Sequence, residues 1–364
     1  MLLWCAYFAF IQLEKMDIPA TGLSRKRYLV TGSAGHLGEA LVRHLQNLNV
    51  EVISIDILSS PFTSNVGSIF DSIFVETCMR GVDVVLHAAT LHKPHVATHS
   101  RQNFVDTNIT GTLTLLEAAV SAGVKAFVYT STTSVYGDSL EPKLLSDPAV
   151  WITEDSVPSC KNIYGVTKLA AEDMCQLFHR NHTGISCMVL RTSRFFPEGD
   201  DVPSAYADDN EKANEYLFRR AEIGDIVCAH MLAAESLLTR DKGKFCKYII
   251  SATTPFSRED TQELRYDAPA VVQRYFPRFQ EIYDRAKWTM YPGIGRVYDN
   301  CRARAELGWT PKFDFQHILS MIENQCQNSA ESVAVSVRSP LAVVIGEKLY
   351  HRTVVAGAEP DSVD

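Results

Sequence analysis

Tyr28-Leu29-Val30-Thr31-Gly32-Ser33-Ala34-Gly35-His36-Leu37-Gly38 is the stretch whose reading decides the fold. An apolar run leads into three spaced glycines, and a helical pattern follows over Gly35–Leu48. A glycine turn between a strand and a helix permits a tight reversal, close approach of a phosphate and close helix–strand packing. The first-turn N–H groups and the helix dipole then favour an anion. Glycines cluster in many turns, so the neighbours carry weight. The next apolar run, Val52-Ile53-Ser54-Ile55, ends in Asp56. A carboxylate there can bond both hydroxyls of an adenosine ribose and repels a 2′-phosphate. With no Arg or Lys in Ile57–Ser60, NAD is expected over NADP.

Outward from this motif, short apolar runs alternate with helical patterns. Strands are expected at Arg27–Thr31, Val50–Ile55, Val82–His87, Ala126–Thr130 and Ser186–Arg191. Helices are expected near Gly35–Leu48, Asp71–Arg80, Phe104–Ala122 and Asn162–Arg180. This alternation predicts an α/β fold, a Rossmann-type doubly wound parallel sheet with a smaller C-terminal substrate-binding region. The expected organisation is an N-terminal extension at 1–24 and an NAD-binding domain at 25–195, with a return segment at about 223–252. A substrate-binding region at 196–330 and a tail at 331–364 follow. In the return segment Ile223–Glu235 reads as a helix and Cys246–Ser251 as a strand. Pro197–Asp201 reads as a loop and Thr253–Pro311 as irregular. Val333, Val335 and Val337 alternate before a polar acidic end expected to be disordered.

The 364 residues are 46% apolar and 21% charged, as in an ordinary globular protein with a sizeable core. A formal charge of -8 offers no basic face for nucleic acid. Nine cysteines without CxxC pairs read as reduced thiols, which points to a cytoplasmic protein. The apolar start, Met1–Leu13, lacks basic residues ahead of it and a cleavage pattern, and is shorter than a spanning helix. It is read as a surface-packed or frayed extension, with no membrane span.

Tyr164-Gly165-Val166-Thr167-Lys168 opens a helical stretch. Tyr164 and Lys168 lie one turn apart and share a face. A free phenol has a pKa near ~10, so it is a poor base at neutral pH. A neighbouring ammonium and a positive nicotinamide ring stabilise the phenolate. The spacing alone proves little, since Tyr283 and Lys287 repeat it. What sets Tyr164 apart is the strand Phe127-Val128-Tyr129 running into the hydroxyl cluster Thr130–Ser134. Such a cluster can place an OH on a substrate carbonyl or alcohol, or simply cap a turn.

With these stretches in view, the chain resembles the extended short-chain dehydrogenase/reductases, the NAD-dependent epimerase/dehydratase group. Thr31–Gly38, Asp56, Leu86–Ala89, Asn108–Thr112, Leu115–Ala119, Ser131–Gly137 and Tyr164–Lys168 carry the likeness. Arg191, Phe196-Pro197, Asp225–Val227 and Arg302–Pro311 extend it to about Ile318. The resemblance implies that Tyr164 is the catalytic base and acid and that Thr132 is the substrate-facing hydroxyl. It implies that Lys168 also bonds the nicotinamide ribose. It places Gly32, Gly35, His36, Leu37, Gly38, Asp56, Ile69, the backbone of His87, Ala88 and Ala89, and Asn108 on the cofactor, with Tyr164 and Lys168. A homodimer through Phe104–Ala122 and Asn162–Arg180 follows from the same likeness. Two departures stand out. Ser68 replaces an aspartate often found before Ile69. Thr133 and Ser134 stand where sugar-nucleotide dehydratases carry an Asp-Glu pair, which argues against 4,6-dehydration.

Leu91-His92-Lys93-Pro94-His95-Val96-Ala97-Thr98-His99 follows the fourth strand. Three histidines could bind a metal, yet no Cys or carboxylate joins them locally, and no metal is expected. The loop reads either as a substrate contact through His92 and Lys93 or as a solvated loop. Thr133 and Arg220 complete the substrate candidates, with Arg219 and Arg220 favouring a phosphate-bearing ligand.

The expected function is an NAD-dependent oxidoreductase or epimerase acting on a sugar nucleotide or related hydroxy compound. The alternatives are an alcohol dehydrogenase/ketoreductase for a steroid-like or flavonoid-like substrate, or a non-catalytic NAD-binding sensor.

Overall fold

The computed structural model describes residues 26–195, 209–239 and 243–327. The N-terminal apolar segment, Phe196-Pro197, the Pro197–Asp201 loop, the valine alternation and the acidic tail lie outside the described residues.

Seven strands form one parallel sheet: β1 (Arg27–Thr31), β2 (Glu51–Asp56), β3 (Asn65–Val66), β4 (Val84–His87), β5 (Ala126–Thr132), β7 (Ser186–Thr192) and β8 (Cys246–Ile250). Their order is β3-β2-β1-β4-β5-β7-β8. The chain moves one way from β1 to β3 and the other way from β4 to β8. The reversal leaves a crevice beyond the C-terminal ends of β1 and β4, where open α/β sheets bind ligands.

Both faces of the sheet are covered, and the strand sequences show why. Tyr28 and Val30 point into one core with Leu37, Leu41 and Leu45 of α1 (His36–Asn47) and Ile226 of α5 (Ile223–Thr239). Leu29 between them points into the opposite core. There it joins Val75 of α2 (Ser72–Met79), Leu115 of α3 (Gly111–Ala122) and Phe178 of α4 (Ile163–Asn181). Val84 and Leu86 against Val85, and Val128 against Phe127 and Tyr129, repeat the alternation. Each large aliphatic side chain buried this way stabilises the fold by roughly 1.5–3 kcal/mol.

The expected strands and helices are found, Arg27–Thr31 with the same ends and the others with an end shifted by up to four residues, the helix expected at Ile223–Glu235 running on to Thr239. The helix expected at Phe104–Ala122 begins earlier, at Arg101, and contains a π-helical turn at Val105–Thr110. That wider turn carries Asn108, whose amide bonds the backbone of Leu91. Thr253–Pro311 is not irregular. It holds helices at Ala268–Tyr275, Phe279–Ala286 and Cys301–Leu307 and strand β9 (Arg296–Tyr298). Pro269 lies in the first turn of its helix, where the missing N–H has no intrahelical partner to lose, and Asp267 caps it. Strand β9 pairs with β6 (Val150–Ile152), far away in sequence. A separate core of Leu217, Val272, Tyr283, Val297, Phe315 and Ile322 holds this half together.

The C-terminal segment is fastened to α5 by one buried carboxylate. Asp225 accepts the N–H groups of Lys312 and Phe313, and its carbonyl accepts Trp309 Nε1–H at 2.9 Å. No helix among the described residues is long and apolar enough to cross a membrane.

Candidate active site

A cavity of about 650 Å³ opens at the C-terminal ends of the central strands. Its cofactor end is built from backbone. Gly32 has φ +75, and a Cβ on it would meet the Ala89 nitrogen at 2.7 Å. A Cβ on Gly38 would lie 1.9 Å from the Gly32 carbonyl oxygen. Glycine is therefore required at 32 for the turn to approach the backbone after β4, and at 38 for α1 to pack onto the turn after β1. Gly35, His36 and Leu37 complete this wall, with Ile69, Ala88 and Ala89 opposite. Asp56 stands at the end of β2. Its Oδ2 accepts the Ala34 N–H and its Oδ1 the Leu58 N–H, both at 2.9 Å. These bonds hold the carboxylate at the cavity edge. A side-chain-free cradle beside a fixed carboxylate fits a pyrophosphate and an adenosine ribose. Asp56→Ala is expected to weaken NAD binding by ~1.5–3 kcal/mol, the loss of a charge-assisted bond. Calorimetric titration of NAD and NADP checks this, and equal affinity for both in the native protein would remove the role.

At the other end, β5 delivers Thr132 and α4 delivers Tyr164. Asn162 caps α4 by accepting the Gly165 N–H at 3.1 Å, which sets Tyr164 in the first turn. Four-residue spacing then stacks Tyr164, Lys168 and Glu172 on the helix face toward β5. Thr132, Thr133, Ser134, Tyr164 and Lys168 all line the cavity. Lys168 Nζ donates to the Thr130 carbonyl at 2.6 Å and lies 4.1 Å from the centre of the Tyr129 ring. Burial pushes the Lys168 ammonium down to about 7, while the charges of Glu172 and Cys175 act in the opposite sense.

Beneath it, Glu172 is fully buried and accepts Ser131 Oγ at 2.6 Å and the Arg191 guanidinium at 2.7 Å. Burial drives the Glu172 carboxyl up, and the Arg191 bonds and charge more than reverse this. Arg191 also donates to Tyr136 Oη at 2.9 Å, and Tyr136 donates to the Thr153 carbonyl. The strand end that presents Thr132 is thereby locked to the helix that presents Tyr164.

Asn108, an expected cofactor residue, and the ring of His87, whose backbone was the expected contact, stand behind the cavity wall. The Asn108 amide bonds the Leu91 N–H at 2.9 Å, the Leu91 carbonyl at 3.0 Å and Thr167 Oγ1 at 3.0 Å. Thr167 in turn donates to the Tyr164 carbonyl. Asn108 therefore positions the wall and the first turn of α4 rather than facing the cavity. The His87 ring spans Thr31 Oγ1 at 2.7 Å and Thr112 Oγ1 at 3.0 Å. Burial and then the Lys168 charge push this imidazole well below its usual value, so it is neutral. Thr31 Oγ1 also accepts the Ala89 N–H at 3.0 Å and fixes that wall.

His92, Lys93, His95 and His99 line the cavity on and around a short 3-10 turn, Lys93–Ala97. The rings follow one another, 4.5 Å between His92 and His95 and 5.0 Å between His95 and His99. Burial first, and neighbouring positive groups second, push His92 down to about 3 and His95 to about 4. Both are neutral at pH 7. Among the described residues no group of three or more His, Cys, Asp or Glu side chains could hold a metal ion.

One substrate expectation needs correction. Arg220 is buried, with Nε 3.2 Å from Glu215, and does not line the cavity. Neighbouring side chains on this irregular segment diverge, and Arg219 is the one at the wall. Arg219 and Arg194 also converge on Glu215, at 2.7 and 3.1 Å. Arg194, Arg296 and Tyr298 are wall residues that sequence reasoning missed. The alternation Arg296-Val297-Tyr298 was the available signal. The second Tyr/Lys pair is remote. Tyr283 is buried in the C-terminal core and donates to Asn214 Oδ1 at 2.9 Å, and Lys287 ends its helix with φ 57.

Known proteins resemble the chain in sequence and fold. A UDP-glucose 4-epimerase of Streptomyces lividans is 35% identical over 159 residues, 41% of this chain and 46% of that protein. The match thus spans about half the length of that relative. A dTDP-glucose 4,6-dehydratase of Streptomyces antibioticus is 33% identical over 325 residues, 79% of this chain and 88% of the relative. The solved structure of MoeE5 in complex with UDP-glucose and NAD shares the fold, with a TM-score of 0.56 at 24% identity. The alignment covers 83% of this chain and 100% of MoeE5. Residues 28–234 match the NAD dependent epimerase/dehydratase family, and the chain belongs to that family.

Proposed function

We propose that the protein interconverts or oxidises a nucleotide sugar by proton transfer through Tyr164 and hydride transfer to NAD. The observation that carries this reading is the meeting, in one cavity, of the glycine cradle and Asp56, the Thr132, Tyr164 and Lys168 set, and two arginines on Glu215. Thr132 orients the reacting hydroxyl, and the Tyr164 phenolate takes its proton. The Lys168 ammonium stabilises that phenolate by charge. NAD, when bound, supplies the acceptor for the hydride leaving the same carbon. Return of the hydride to the other face of the ketone inverts the centre, and release of the ketone completes an oxidation.

Arg194 and Arg219 favour a diphosphate-bearing substrate over a steroid-like one. Thr133 and Ser134 bring hydroxyls, and no carboxylate, next to Thr132, which disfavours loss of water. A homodimer through α3 and α4 belongs to the same proposal, supported by the exposed apolar side chains Leu113, Val166 and Leu177.

Incubation with NAD and a panel of UDP- and dTDP-sugars, read by NADH absorbance and by NMR of the sugar ring, tests the proposal. An unchanged sugar and unchanged cofactor throughout the panel would reject it. The histidine loop is proposed to touch substrate. His92→Ala and Lys93→Ala should then raise KM at unchanged NAD affinity, the mark of lost uniform binding. Chelators should leave turnover intact. Stoichiometric zinc with turnover lost on chelation would make His92, His95 and His99 ligands instead.

A further inference from the structure

Thr130 lies just past the stretch of β5 that is paired on both sides. β4 stops at His87, in register with Tyr129, so Thr130 pairs with Leu190 of β7 alone. Side chains alternate along a strand. Phe127 and Tyr129 enter the core that holds Phe178 of α4, and Val128 enters the opposite core with Leu190, Ile226 and Met231. Thr130 therefore turns toward α5, where it meets His230, which is fully buried. Thr130 Oγ1 and His230 Nε2 are 2.8 Å apart. His230 Nδ1 is 2.8 Å from the Ile226 carbonyl oxygen, one turn back on the same helix.

These contacts fix where the protons sit. A carbonyl only accepts, so Nδ1 carries the hydrogen. Burial pushes the imidazole down to about 4, so the ring is neutral at pH 7 and Nε2 is an acceptor. The Thr130 hydroxyl then donates to it. An apolar pair would cost less to bury in this core, yet both ring nitrogens are met. A satisfied buried pair holds its members in one geometry. What it holds here is the Thr130 peptide, whose carbonyl accepts the Lys168 Nζ–H at 2.6 Å. Thr130 thus joins α5 to the ammonium carried by α4, while His230 itself stays outside the cavity wall.

We propose that His230 is a positioning residue for proton transfer: by taking the Thr130 hydroxyl hydrogen it fixes the carbonyl that seats the Lys168 ammonium. This rests on the reading of Tyr164 and Lys168 given above. Phenolate ultraviolet absorbance of the NAD-loaded protein, taken as the difference from Tyr164→Phe, follows Tyr164 ionisation without any substrate. His230→Leu keeps the core apolar and removes the acceptor. It should move the ionisation midpoint up by ~1 pH unit, which is ~10-fold less phenolate at neutral pH. The acid limb of the kcat profile should move with it, at native NAD affinity. His230→Gln still offers Thr130 an amide oxygen and should keep the native midpoint. Thr130→Val should reproduce His230→Leu, and the double variant should shift no further. An unmoved midpoint in His230→Leu, an equal shift in His230→Gln, or shifts that add in the double variant would overturn the proposal. If His230→Leu fails to fold, Thr130→Val, a replacement of the same shape, decides. If Tyr164→Phe removes no phenolate that titrates below the ordinary phenol range, the Tyr164 and Lys168 reading fails and the proposal with it, an outcome distinct from the others.

Discussion

Tyr164→Phe is expected to lower kcat by ~10²- to ~10⁴-fold, the usual range for a lost general acid–base group. NAD affinity should stay near native, because only one hydroxyl is removed from a wall otherwise made of backbone and other side chains. Tyr283→Phe is the control. Its hydroxyl bonds Asn214 in the C-terminal core, away from the cavity, so turnover should hardly change. Equal behaviour of the two variants would defeat the assignment.

Lys168→Met should lose turnover alongside Tyr164→Phe and gain stability at neutral pH. The folded protein lowers the Lys168 pKa to about 7 from an ordinary 10.5, chiefly by burial. The unfolded chain therefore binds more protons than the folded one between about pH 7 and 10.5. Stability from this group rises with pH across that window and is lowest at and below its acid end. Replacing the lysine by an apolar isostere lifts the penalty. The variant should be more stable than native by a few kcal/mol at pH 7, on the order of ~1.4 kcal/mol per pKa unit. The difference should shrink toward pH 10. Paired denaturant melts at several pH values check this, and a variant less stable than native at pH 7 would contradict it.

The second large effect is expected at Gly38. A methyl group there would lie 1.9 Å from the Gly32 carbonyl oxygen and 2.8 Å from Ser33 Cα. Both obstacles are backbone, so the clash cannot be relieved by a rotamer change. Gly38→Ala should open the turn between β1 and α1 and distort the N–H cradle. A loss of ~3 kcal/mol or more of stability is expected, the scale of a severe packing defect. NAD affinity should fall by more than ~100-fold, since several phosphate-facing N–H groups move together. Gly123→Ala provides the contrast. Gly123 has a positive φ, +75, which the helical Gly38 lacks, and nothing lies within 4 Å of its would-be Cβ. That change should cost only ~1–2 kcal/mol of left-handed strain and leave NAD binding alone. Thermal melts and NAD titration of the two variants separate crowding from strain.

Much of the cofactor half was legible in the linear chain because its determinants are local. Strands buried on both faces appear as short apolar runs, and the glycine turn must lie next to the strand it ends. Tyr164 and Lys168 are a helical turn apart, so their spacing and common face are properties of one helix. Parallel strands joined by crossovers leave few strand orders open.

The substrate half was not legible in the same way. Arg194, Glu215, Arg219 and Arg296 come from three separated segments, and apart from the i,i+4 step from Glu215 to Arg219 no spacing rule links them. Arg219 and Arg220 look alike in sequence, and only the path of the backbone decides that one faces the cavity while the other is buried on Glu215. Asn108 shows the same limit. Its place in a π-helical turn, bonded to Leu91 and Thr167, is set by helix packing that periodicity does not register. The pairing of β6 with β9 joins residues 150 and 296. Local sequence specifies the strands, helices and cofactor turn, because their energies arise between near neighbours. The substrate wall is decided by tertiary structure, because its energies arise between residues that only the folded chain brings together.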